Sequence, residues 1–353
     1  AVKYGLCLPA TWQETAELIL QTLIFIERRG YWAEWIPVME QLLESCPVSE
    51  VEIRGRILNY LGIFYKNNRQ LQKAYLTHQA ELQIGNASQD KWRQAHAAIN
   101  LGSVCRQLYK YDEAETYILD AQEKFQAIKA PLVKHAFVFM EMGLLMQAKA
   151  QLADAEAHLS YAVSLFREGG DPVYLANSLK LLGQVFAAQD KIEEASNAYH
   201  EALDNLSQTE NHLDESRVLN ELGILSFNQG KFAEATRLFK LADSPFLRQS
   251  GNLYDQALFA NNLGNVYQAQ EKLEDAERSF QRSIHLWQIC DEPIQLANSL
   301  SGLAEIHVKQ EQIAGALNLY QQALDLLAQY PQDSWANKLR QDCERNWKIL
   351  KNM

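Results

Sequence analysis

Residues 259–284 read FANNLGNVYQAQEKLEDAERSFQRSI, and this stretch decides the fold. Apolar residues recur at helical spacing up to a break at Glu271-Lys272, then resume as a second helical pattern. Gly264 lies inside the first pattern, where glycine costs about 1 kcal/mol relative to alanine. Ala276 follows twelve residues later, and Phe280 four after that. The same order of small, small and bulky residues recurs along the chain. The equivalents of Gly264 are Gly62, Gly102, Gly143, Gly183, Gly223 and Ala304, in steps of 40 or 41 residues. Twelve residues after each anchor stands an alanine: Ala74, Ala114, Ala155, Ala195, Ala235, Ala276 and Ala316. Four residues further come His78, Ile118, Leu159, Tyr199, Phe239, Phe280 and Tyr320. A glycine kept at one helical phase signals a steric need, because helices approach closely only where a small residue faces a large one. Each unit therefore reads as a helical hairpin. A period near 40 residues means stacked hairpins, which escape the size limit of a single core.

The units resemble the tetratricopeptide repeat family over about residues 51–330. Leu or Met precedes each anchor (Leu61, Leu101, Met142, Leu182, Leu222, Leu263, Leu303), and Tyr65, Phe186 and Tyr267 supply the family's aromatic three residues after it. Cys105, Met146, Ser226 and His307 depart from that pattern. The unit also exceeds the family's usual 34 residues. The extra length falls after the small residue at Ala202, Ala242, Ser283 or Ala323, so an extended second helix is expected. Units of this length resemble those of kinesin light chains and of the sensor arrays of bacterial signal-transduction ATPases with numerous domains. The resemblance implies an all-α, right-handed superhelix (α-solenoid) of about 17 helices. It divides the chain into a degenerate helical pair at 1–48, seven units at 49–330 and a capping helix at 331–353.

Punctuation along the chain fits this division. Thr11 and Glu14 open a first helix that Gly30 stops. A second runs over Trp32–Ser45, with Trp35 at the alanine phase and Pro37 early enough to kink it. First helices of the units are expected to begin near Glu50, Asp90, Pro131, Asp171, Asn211, Asn252 and Glu292. Pro131, Pro172 and Pro293 suit first-turn positions, and Asp171 suits an N-cap. Ser244-Pro245 should end or bend the second helix of the fifth unit. The last helix, 333–351, carries Trp335, Leu339, Cys343 and Trp347 at helical spacing, as a cap over the final unit requires.

Composition narrows the functional classes. A net charge of −11, with no Lys/Arg run, disfavours nucleic acid. Cys7, Cys46, Cys105, Cys290 and Cys343 are scattered and form no CxxC pair, which points to a reducing compartment and a cytoplasmic location. No apolar run approaches 18 residues, so no membrane span is expected. There is no Walker A loop, GxGxxG, HExxH or GxSxG. The expectation is a non-enzymatic chain with no catalytic residues, no cofactor and no metal. His78 and His307 fall at core phases and read as packing histidines.

In tetratricopeptide arrays the first helices line the concave groove. The resemblance therefore places on that face the residues six, three and two before each anchor, and one, four and five after it. Asparagine clusters there as Asn59, Asn100, Asn220, Asn261, Asn262 and Asn265, although it is a poor helix former. Its amide offers both donor and acceptor and can pair with the C=O and N–H of an extended peptide. Arg56, Lys66, Arg106, Lys180 and Arg217 add positive charge, opposed by Glu141, Glu221 and Glu305. Phe137, Met140, Leu144 and Leu181 form an apolar patch on the same face. The expected ligand is a protein segment or extended peptide with an apolar anchor and some acidic character. The expected role is the sensing array of a larger signalling ATPase whose nucleotide-binding domain precedes Ala1. A free-standing adaptor is the alternative, and a repeat-based regulatory phosphatase or peptide-pheromone receptor is a remoter one.

Overall fold

In the computed structural model of the chain, the described residues are 11–29, 31–249 and 251–352. Gly30 and Cys7 lie outside them. Eighteen helices and no strand occur among the described residues. Two helices come first, α1 (Trp12–Arg29) and α2 (Trp32–Ser45). Seven hairpins follow: α3 (Val51–Asn67) with α4 (Leu71–Ala87), α5 (Lys91–Gln107) with α6 (Tyr111–Ala127), and α7 (Leu132–Ala148) with α8 (Leu152–Gly169). Next come α9 (Pro172–Ala188) with α10 (Ile192–Leu206), and α11 (His212–Asn228) with α12 (Phe232–Ala242) and the short α13 (Pro245–Gln249). The last hairpins are α14 (Leu253–Ala269) with α15 (Leu273–Cys290), and α16 (Pro293–Lys309) with α17 (Ile313–Leu327). Helix α18 (Ser334–Lys351) closes the series. The fold is an all-α solenoid of tetratricopeptide-type hairpins. It forms two units, Ala1–Asp214 and Glu215–Met353.

Steric need at the anchors is explicit. A Cβ on Gly183 would lie 2.5 Å from Tyr199 Cε1, on Gly223 2.6 Å from Phe239 Cε1, and on Gly264 2.7 Å from Phe280 Cε1. Gly143 meets Leu159, Gly102 meets Ile118 and Gly62 meets His78 at similar distances. In each of these six hairpins the glycine faces the bulky residue sixteen positions later, and all of those residues are buried. The seven alanines twelve residues after the anchors are wholly buried as well. Every first helix of the seven hairpins is 17 residues long. The second helices reach 17 or 18 residues in four hairpins, whereas α10 and α17 have 15 residues and α12 has 11, so the extension expected after Ala202, Ala242 and Ala323 falls largely in the connections there.

One turn is reused throughout. The seventh residue after each anchor takes the left-handed conformation: Arg69, Tyr109, Ala150, Asp190, Gly230, Glu271 and Glu311, with φ between 59° and 73°. Its N–H bonds to the carbonyl three residues back, and the next N–H bonds to the carbonyl five back, as in Lys110 N to Cys105 O at 2.9 Å. This is the two-bond helix C-cap that satisfies the last carbonyls of the first helix. Only one of the seven positions is glycine, so six turns hold a side chain where the backbone is strained.

The N-cap expected at Asp171 is present, and three other expectations are refined. Asp171 accepts from Val173 N and Tyr174 N, Asn252 from Asp255 N, and Asp333 from Ala336 N. Pro131 is an N-cap, whereas Pro172 and Pro293 begin their helices. Pro37 sits within α2. Trp335 is 40% exposed and does not join the capping face; Ala336, Leu339, Cys343 and Trp347 do, against Tyr320 and Leu327. Pro245 ends α12 and starts α13, which accounts for the eighteenth helix. That corner is pinned. The buried Asp243 carboxylate receives Arg248 at 2.8 Å and Arg282 at 2.5 Å, and Ser244 Oγ accepts from Leu247 N at 3.2 Å.

Candidate functional site

The first helices present a face whose polar residues join successive hairpins. In the first unit, Asn100 Nδ2 on α5 donates to Asn59 Oδ1 on α3 at 2.9 Å. Lys66 Nζ donates to Ser103 Oγ at 3.4 Å, Arg106 pairs with the buried Glu141 at 3.4 Å, and Arg56 reaches Glu17 at 3.5 Å. Phe137 packs edge-to-face on Tyr174 of α9 and Phe166 of α8, with ring centres 4.7 and 5.2 Å apart. Ser178 Oγ donates to the buried Met140 Sδ at 3.6 Å. Leu144 and Lys180 are half-buried, and Leu181 is buried.

The second unit repeats the register. Asn262 Nδ2 on α14 donates to Asn220 Oδ1 on α11 at 2.8 Å. Ser299 Oγ on α16 donates to Asn261 Oδ1 at 2.8 Å. Arg217 Nε donates to Asp255 Oδ2 at 2.8 Å, and Gln268 Nε2 to Glu305 Oε2 at 2.7 Å. Asn265 is half-buried and makes no side-chain hydrogen bond among the described residues. In both units, then, the amide three residues before one anchor accepts from the amide two residues before the next.

Five of the six asparagines singled out by sequence thus tie one hairpin to its neighbour. Asn220 and Asn261 are 2% and 5% exposed, so little of them remains for a ligand. Asn59, Asn100, Asn262 and Asn265 are half-buried and reach the surface. An amide carries two donor hydrogens and two acceptor lone pairs, and each Asn–Asn rung engages one donor and one acceptor. The rungs therefore fix the amides in place while leaving further donors and acceptors available. Sequence reasoning missed the pairing and the supporting serines, although asparagine at both rung positions of consecutive hairpins was a visible signal.

Beside Glu305 in the second unit lies a cavity of about 280 Å³, lined by Val308, Lys309, Tyr320, Asn346, Ile349 and Leu350. Asn346 Nδ2 donates to Tyr320 Oη at 3.3 Å, and burial, with Glu305 nearby, pushes the Tyr320 phenol up to about 12. No group of three or more His, Cys, Asp and Glu among the described residues could hold a metal ion, and no described helix is long and apolar enough to cross a membrane.

The tetratricopeptide repeat model matches residues 255–329, and the model of the soluble NSF attachment protein matches residues 111–250. The regulatory protein RapG of Bacillus subtilis (strain 168) is 26% identical over 166 residues, which are 46% of this chain and 45% of RapG. The chain thus spans about half the length of that relative. Among solved structures, a Rap protein complexed with competence and sporulation factor aligns with TM-score 0.61 and 12% identity, over 96% of this chain and 98% of that one. A signal transduction ATPase with numerous domains and a tetratricopeptide repeat sensor, from Pyrococcus horikoshii, aligns with TM-score 0.63 and 17% identity, over 97% of this chain and 54% of that one. At these identities the structural likeness is one of fold.

Proposed function

We propose that this tetratricopeptide-type array is a non-enzymatic recognition module that grips a protein segment or extended peptide on the face of its first helices. The amide register carries the reading. Amides held at a fixed spacing by their own rungs are preorganised for the alternating N–H and C=O of another backbone, which lowers the ordering cost of binding. Within that class we place the chain as the cytoplasmic sensing array of a larger signalling ATPase; likeness to the Pyrococcus horikoshii sensor protein supports this. A free-standing adaptor would use the same face.

A second reading is favoured by the RapG match and by the near-complete mutual coverage with the Rap protein complexed with competence and sporulation factor. Here the array itself is a peptide-responsive regulator. Gene sequence upstream of Ala1 separates the two: an in-frame nucleotide-binding domain supports the sensor, and a native start codon there supports the regulator.

The binding reading is tested by capture from native extract with cross-linking and mass spectrometry. Cross-links should fall on the first helices near Asn59, Asn100, Asn262 and Asn265. The double variant Asn100→Ala/Asn265→Ala should weaken the captured partner at least tenfold while a melting curve stays within a few degrees. Cross-links confined to the second helices would sink the reading.

A further inference from the structure

Lys134, in the first turn of α7, is a cation without an anion. Its Nζ lies 5.6 Å from the ring centre of Trp92 and 5.7 Å from that of Phe137. Its ammonium makes no ion pair or hydrogen bond with another described residue. Histidines and further rings complete the surroundings. His96 stacks obliquely on Trp92 at 5.1 Å and meets Phe125 edge-on at 5.5 Å, and His135 lies 6.5 Å from Phe125. His96 Nε2 is buried with no partner.

No negative charge among the described residues is paired with the ammonium. Burial, reinforced by Lys134 and Arg93, holds His96 down at about 3, so that ring stays neutral. Asp90, the acid near His96, is engaged by the backbone N–H of Arg93 and by its guanidinium. Burial also lowers the Lys134 amine. In a chain of net charge −11, this is a local positive site. A partly desolvated ammonium is normally paired. Two aromatic faces return only about 0.5–2 kcal/mol, whereas a carboxylate would form the stronger charge-assisted bond. Trp92 is 42% exposed and offers an apolar wall beside the cation. His96 and Phe137 both stand six residues before their anchors, so the cradle belongs to the rim of the first-helix face.

We propose that Trp92, Lys134 and Phe137 form a subsite for a carboxylate of the bound polypeptide, an Asp or Glu side chain beside an apolar residue. The subsite rests on the recognition reading in taking a polypeptide as ligand. That carboxylate would supply the anion that Lys134 lacks among the described residues.

Competitive acylation of the intact chain tests it. Limiting acetic anhydride is applied at pH 8, alone or with millimolar acetyl-Phe-Glu-Phe-amide, its Gln analogue or inorganic phosphate, and Lys134 labelling is read by peptide mass spectrometry. The Glu peptide should protect Lys134 at least threefold, and the Gln peptide and phosphate should not. Binding of a fluorescent Glu peptide should be lost in Lys134→Met and retained in Lys134→Arg. Equal protection by the Glu and Gln peptides, no protection, or protection by phosphate matching that of the Glu peptide would overturn the assignment. Protection of Lys134 in a chain that captures no partner leaves the subsite standing without the wider reading. A captured partner that binds Lys134→Met unchanged removes the subsite alone.

Discussion

The first hairpin and the sixth share one register and differ in what fills it. In the sixth, Gly264 faces Phe280, and Ser283 three residues on donates to Ala257 O at 2.8 Å and shares a hydrogen bond with Ser299 at 3.0 Å. In the first, Gly62 faces His78, and the position of Ser283 is taken by Glu81. Both are buried, with His78 Nδ1 3.0 Å from Glu81 Oε2 and His78 Nε2 without a partner. Backbone approach, set by glycine, fixes the hairpin. The filler is free to be polar if paired, and the first hairpin pairs its filler on one side only. A half-satisfied buried pair is less stabilising than an aromatic side chain of similar volume.

The largest effect comes from emptying the better-packed hairpin. Phe280 is wholly buried against Gly264 and Gly302. Phe280→Ala should lower unfolding free energy by about 3–5 kcal/mol. His78→Phe with Glu81→Ala should raise it, because it gives the first hairpin an aromatic filler like Phe280 and the Phe–Ala pair that Phe239 and Ala242 form in the fifth. Urea unfolding checks both, and a destabilised double variant would refute the comparison.

The pH dependence of the two hairpins should differ next. Burial drives His78 down from 6.5 to about 3 and Glu81 up from 4.5 to about 8. Between pH 4.5 and 6.5 the folded pair holds one proton, on whichever residue, and the unfolded pair also holds one, so stability is flat there. Above 6.5 the unfolded histidine releases its proton while the folded pair keeps one until about 8. The folded state then binds more protons, and stability falls by about 1.4 kcal/mol per pH unit. Below 4.5 the unfolded glutamate takes up a proton that the folded pair refuses until about 3, so stability falls again on that side. Urea midpoints at pH 6.5 and 8 should separate in the native chain, and His78→Phe/Glu81→Ala should remove most of that separation.

Adding a methyl group at each anchor is a smaller perturbation. A Cβ on Gly264 meets the enclosed Phe280 ring at 2.7 Å, and Gly264→Ala should cost about 1–2 kcal/mol after the gain in helix propensity. The seventh hairpin shows the tolerated case, with Ala304 and Tyr320 both buried. A stabilised Gly264→Ala chain would mean that the glycine reflects something other than steric need.

What could be read from sequence follows from which forces repeat. The register and the break at Pro245 were legible, the first because sterics impose it at every step and the second because proline cannot continue a helix. The Glu81 position was legible in principle, since its equivalents are Ala121, Ala162, Ala202, Ala242, Ser283 and Ala323. A charge there reads as surface until its partner is known. Helical spacing placed Trp335 on the capping stripe but could not say which flank of the stripe touches the repeat. The asparagines show the general limit. Poor helix propensity says that something holds them, and a neighbouring hairpin does so with the same amide chemistry as a ligand. Trp92 and Lys134 lie 42 residues apart and meet only through stacking.

The smallest effect carries the comparison into the turns, where the fifth hairpin has Gly230 and the second has Tyr109 at the same left-handed position. Tyr109 is 70% exposed and meets the Tyr111 ring edge-on at 6.4 Å, so removing its side chain loses only peripheral packing. Glycine relieves the left-handed strain of about 1–2 kcal/mol and gives back about 0.5–1 kcal/mol through its freer unfolded state. Tyr109→Gly should therefore raise stability by a few tenths to about 1 kcal/mol, and Gly230→Ala should lower it by a similar amount. Both show as shifts of the urea midpoint at constant slope. Opposite signs at the two sites would establish that the turn geometry is imposed by hairpin register, with side-chain identity following it. Equal signs would mean that the Tyr109 ring contributes contacts that outweigh its backbone strain.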